Sequence, residues 1–85
     1  MSRSDRKYLR RAILEVVENQ LRDGSPPATR ATLKRLMEEG YSRADAKRLI
    51  ACVVSAEMFE IMKQEKPFDE HRFVSALNRL PELPE

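Results

Sequence analysis

Apolar residues recur at Leu9, Ile13, Val16, Val17 and Leu21, with Gln20 the one polar member of the series. Steps of three and four put these side chains on one face of a helix, so the first predicted element is helical. Ser4 is its expected N-cap, because a short hydroxyl can accept from the unpaired amides of the next turn. The helix should stop near Asp23. Gly24 tolerates the left-handed conformation that closes a helix, and Ser25-Pro26-Pro27 cannot extend it. A second helix is predicted from about Thr29 to Glu39, with Ala31 or Thr32, Leu33, Leu36 and Met37 turned inward and Gly40 at its end.

From Arg43 to Lys66 there is neither Gly nor Pro, which predicts one long third helix. Ser42 and Asp45 supply its cap and an acidic third position. Within it, Leu49-Ile50-Ala51-Cys52-Val53-Val54 is apolar on every side, so this helix is expected to be surrounded by the others and Cys52 to be buried and inert. Pro67 ends it. Asp69 is the expected cap of a last helix carrying Phe73, Val74, Leu77 and Leu80, and Pro81 stops that one. Nothing alternates with period two. The expected fold is all-α: a compact four-helix domain over residues 1–80 with a long central third helix, then a short tail over 81–85.

Composition narrows the picture. Eighty-five residues and 9.9 kDa accommodate one small core. Charged residues are 35% of the chain, yet 16 Lys+Arg against 14 Asp+Glu leave only +2, a balance unlike that of disordered chains. The charge is uneven, with net +5 over residues 1–50 and −3 over 51–85. One cysteine leaves no internal disulfide and suits a reducing, cytoplasmic setting. Leu49 to Ala56 is the longest uncharged apolar stretch, short of the roughly 18 residues of a membrane helix. Ala12-Ile13-Leu14 is too short for a signal peptide, so a cytoplasmic protein with no membrane partner is expected.

Two basic groups stand out. Arg3, Arg6, Lys7, Arg10 and Arg11 cluster at the start of the first helix, where cations oppose the helix macrodipole. Such a local penalty is mild evidence for contact with phosphate or an acidic partner, but the favoured reading is a solvated face partnered by Glu15, Glu18 or the acidic third helix. Arg43, Lys47 and Arg48 follow Gly40 in a stretch that superficially resembles a helix-turn-helix. Arg35 and Glu39 occupy places where that motif needs apolar packing, and a capped helix-helix corner is the better description. Met58, Phe59 and Met62 make the end of the third helix apolar. Packing beneath Phe68 and Phe73 is the default role for that stretch, and any surplus is a candidate interaction patch.

Catalytic equipment is missing from the pattern. Cys52 and His71 are the single Cys and the single His, too few for a zinc site. No Gly-rich phosphate loop or nucleophile elbow occurs. Neither an enzyme nor a cofactor is expected.

Glu18-Asn19-Gln20-Leu21, Asp23, Pro26-Pro27, Leu33-x-x-Leu36, Gly40-Tyr41, Pro67-Phe68-Asp69-Glu70 and Ala76-Leu77-Asn78-x-Leu80-Pro81 together resemble a family of short bacterial all-helical proteins of unknown function. The resemblance runs from about Leu9 to Pro81 and implies a bacterial helical domain without implying an activity. Histidines that many such proteins carry on the first and third helices correspond here to Arg10, Leu14, Ala44 and Arg48, so no metal site carries over. The function expected is a protein–protein interaction module or homodimer. The rival is nucleic-acid binding through the two basic groups.

Overall fold

The computed structural model describes residues 3–84, with side chains from Arg6 onward. Four helices follow one another: α1 (Arg3–Asp23), α2 (Pro27–Glu38), α3 (Arg43–Gln64) and α4 (Glu70–Arg79). There is no strand among the described residues. Arg3 is already helical, so Ser4 lies in the first turn of α1 instead of capping it, a shift of the size helix ends commonly show.

The joints follow from local chemistry. Gly24 ends α1 at φ +68° and donates its amide to the Gln20 carbonyl at 2.8 Å. Arg30 then reaches back, its Nε donating to the Leu21 carbonyl at 2.5 Å and its Nη2 to the Arg22 carbonyl at 2.6 Å. These carbonyls have no partner within α1, so Arg30 closes the helix end with both hydrogen bonds and positive charge. A Cβ at position 24 would come within 2.9 Å of the Arg30 guanidinium, a second reason for glycine there.

α2 starts at Pro27, two residues before the predicted Thr29, because proline at the first helical position has its φ preset and no amide to satisfy. Thr29 is fully buried, and its hydroxyl donates to Gln20 Oε1 at 2.9 Å. That bond explains the single polar residue in the apolar series of α1. Of Ala31 and Thr32 it is Thr32 that turns inward, Leu33 and Leu36 are buried, and Met37, expected inward, is exposed.

Ser42 Oγ caps α3 by accepting from the Asp45 amide at 3.0 Å, and the Asp69 carboxylate caps α4 by accepting from the Arg72 amide at 3.1 Å. α3 stops at Gln64, short of the predicted Lys66, because Glu65 turns left-handed at φ 53°.

The core joins Ile13, Val17 and Leu21 of α1, Leu33 and Leu36 of α2, Ala46, Ile50, Val53 and Val54 of α3, and Phe73, Leu77 and Leu80 at the end of the chain. α3 packs on all three other helices, and so does α2. α1 and α4 do not approach each other. The expectation that α3 is enclosed therefore needs correcting. Its buried residues are Ala46, Ile50, Val53, Val54 and Glu57, a single face. Arg48, Cys52, Ser55, Phe59 and Met62, at steps of four, three, four and three, form an exposed stripe.

Two polar ties hold α4 in place. Arg72 grips Glu57 in α3 with Nη2 to Oε1 at 2.7 Å and Nε to Oε2 at 3.0 Å. Arg35 in α2 donates to the Leu77 carbonyl at 3.1 Å and pairs with Glu39 at 2.7 Å. Among the described residues no buried side-chain nitrogen or oxygen lacks a partner.

Candidate functional site

Because α1 and α4 stand apart, α3 is left uncovered between them, and an open trough of about 1460 Å³ runs over it. Ala51, Cys52, Ser55 and Ala56 of α3 line it with small side chains. Leu9 and Leu14 on α1, Phe59 on α3 and Leu83 in the tail supply apolar walls. Phe59 is 66% exposed and adjoins these aliphatic side chains in one lining. Among the described residues no aromatic ring stacks on it, and the close ring pair, Phe68 with Phe73, has centroids 5.7 Å apart.

Charge lines the same trough. Six cations, Arg6, Arg10, Arg48, Lys63, Arg72 and Arg79, face three carboxylates, Glu57, Glu60 and Glu82. Glu57 is already taken by Arg72, whose pKa is raised chiefly by that hydrogen bond. Glu60 accepts from Gln64 at 2.6 Å. Arg48 pairs with Asp45 at 3.2 Å, an exposed contact of little strength. Arg6, Arg10, Lys63 and Arg79 make no ion pair with another described residue. The trough thus combines an apolar lining with an excess of positive charge.

The residues singled out from the sequence are divided by the fold. Arg6, Arg10 and Arg48 line the trough, whereas Lys7 and Arg11 are exposed outside its lining. Arg3 lies at the helix start, with its side chain outside the described residues. Lys47 is committed to Glu18 across the α1–α3 contact. That hydrogen bond, with the Lys47 and Arg43 charges assisting against a desolvation penalty, lowers the Glu18 pKa. Arg43 borders a separate, shallower depression with Leu21, Lys34 and Met37. Of the apolar trio, Phe59 lines the trough, while Met62 is 77% exposed and Met58 38% exposed beside it.

Several trough residues escaped the sequence pattern. Leu9 belongs to the apolar face of α1, and nothing local distinguishes it from Ile13, which is buried. Lys63 on α3 is well separated in sequence from Arg79 and Leu83 near the end of the chain, and packing brings them to one trough.

Cys52 was expected to be buried and is exposed in the trough lining. An apolar run does not report which of its members faces the neighbouring helix, and position 52 falls opposite the Ile50–Val53–Val54 face. A thiol reagent should therefore label native Cys52 at a rate close to that in denaturant. Protection by orders of magnitude in the native protein would contradict this placement.

No group of three or more His, Cys, Asp or Glu among the described residues is arranged to hold a metal ion. None of the described helices is long and apolar enough to cross a membrane. Comparisons with protein-family models, with curated proteins and with solved structures find no match to this chain.

Proposed function

We propose that this protein is a binding module that docks another protein in the trough between α1 and α4. The observation that carries the reading is that Phe59 of α3, Leu9 of α1 and Leu83 of the tail line one trough and remain exposed. Covering such side chains is worth roughly 25 cal/mol per Å² of apolar surface removed from water, a gain available only when something docks. At about 1460 Å³ the trough exceeds the roughly 300–1,000 Å³ usual for small-molecule pockets, which favours a macromolecular occupant.

Nucleic-acid binding is the weaker alternative. It would draw on Arg6, Arg10 and Arg48, but Lys47 is occupied by Glu18 and Arg43 borders a different depression. A phosphate backbone also gains nothing from the aliphatic walls. Duplex DNA should therefore bind weakly and be released at physiological salt, since phosphate contacts are strongly salt-dependent.

The deciding experiment attaches a photo-crosslinker to Cys52 and irradiates the protein in extract of its native host. The expected product is a discrete, nuclease-resistant protein adduct, lost in Phe59→Asp, whose helical circular dichroism is unchanged because the ring is already mostly in water. Adducts removed by nuclease would overturn the reading. So would sub-micromolar DNA affinity at physiological salt that disappears when Arg10 and Arg11 are both replaced by Ala.

A further inference from the structure

We infer that the occupant of the trough is an acidic amphipathic helix from a different protein, a commitment that rests on the docking reading above. Three observations converge. The trough follows α3 from Arg48 to Lys63, about 22 Å at roughly 1.5 Å per residue, which matches a partner helix of about four turns. Its walls are helices and no strand edge is offered among the described residues, so an extended peptide would find no ladder of backbone partners there. Its cations outnumber its carboxylates two to one, and with the Arg72–Glu57 and Arg48–Asp45 pairs set aside, Arg6, Arg10, Lys63 and Arg79 still outnumber Glu60 and Glu82.

That charge also argues against a second copy of this chain. A two-fold contact sets the same surface against itself, so pressing trough to trough would bring both cation sets together in a water-poor interface. An acidic helix meets the opposite situation. Its leucines would reach Phe59, Leu9 and the small side chains around Cys52, while its carboxylates would meet Arg6, Arg10, Lys63 and Arg79. The chain itself already shows this chemistry on a small scale. Its tail places Glu82 next to Leu83 in the trough, a carboxylate and an aliphatic side chain together.

The test uses the full-length protein and three probes. One is a synthetic 15-residue helix (length about that of the trough) with Leu at helical spacing and Glu elsewhere. The second carries Lys in place of every Glu, and the third is a duplex DNA of similar length. Affinity is read by fluorescence anisotropy, and occupancy of the trough by the slowing of Cys52 labelling. The acidic helix should bind, protect Cys52 and weaken with added salt. Replacing both Arg10 and Arg79 by Glu should lower its affinity by about tenfold or more and improve binding of the Lys helix. Both residues are exposed, so the double variant should keep the circular dichroism of the parent.

Equal protection by both peptides, or protection by the Lys helix alone, would overturn the acidic partner while leaving the docking reading intact. A concentration-dependent dimer in which Cys52 is protected would do the same in favour of self-association. Failure of both peptides together with tight, salt-resistant DNA binding would overturn the docking reading itself.

Discussion

Val53→Asp unfolds this protein. Val53 is 1% exposed on the buried face of α3, which packs on all three other helices. Val53 belongs to the core cluster with Ile50 and Val54, where a carboxylate would be taken out of water. Burying an unpaired polar or charged group costs several kcal/mol even when the group escapes by taking up a proton. A chain of this length has about 4–13 kcal/mol of stability in all, so the penalty consumes much or all of it. Far-ultraviolet circular dichroism should show the loss of helix at room temperature. The neighbouring Cys52→Asp should retain the fold, because that side chain is exposed. A Val53→Asp protein melting cooperatively near the parent temperature would show that the core lies elsewhere.

Phe73→Ala should cost about 3–5 kcal/mol, the usual range for removing a buried aromatic ring. Phe73 is 1% exposed and is the largest fully buried side chain. α4 has only 10 residues, too few to be helical without tertiary support. It is held by Phe73, Leu77 and Leu80 in the core and by the Arg72–Glu57 and Arg35–Leu77 ties. Emptying the Phe73 site should lower the denaturant midpoint and raise amide exchange first in α4. Docking should fail with it, since Ala76 and Arg79 form one wall of the trough. A loss of stability below about 1 kcal/mol would mean that neighbouring side chains refill the space.

Much of the fold could be read from short-range chemistry. The caps at Ser42 and Asp69 are where hydroxyl and carboxylate side chains precede helical spacing, and each accepts the amide three residues on. Gly24 ends α1 because the chain needs a positive φ there. The departures are small and have causes. Proline begins α2 early because it has no amide to lose, and Glu65 ends α3 early by turning left-handed.

The candidate site was harder to see. Basic residues at the start of α1 and Phe59 on α3 stand out in the sequence, but their relation does not. Cys52 marks the limit most clearly. In α3 the run from Leu49 to Val54 is apolar in every direction, so periodicity carries no information about which side is inside. Packing selects Ile50, Val53 and Val54 and leaves Cys52 to solvent.

By itself, then, the amino-acid sequence determined the four helices, their ends and most of the core, because capping, proline geometry and three-four spacing act over a few residues. Tertiary structure alone decided that α1 and α4 stand apart. That separation exposes one side of α3, gathers Arg6, Arg10, Lys63, Arg79 and Leu83 around it, and turns a run of small apolar residues into part of the lining of a groove. Which helices touch depends on the summed fit of all the faces at once, and no local pattern encodes that sum.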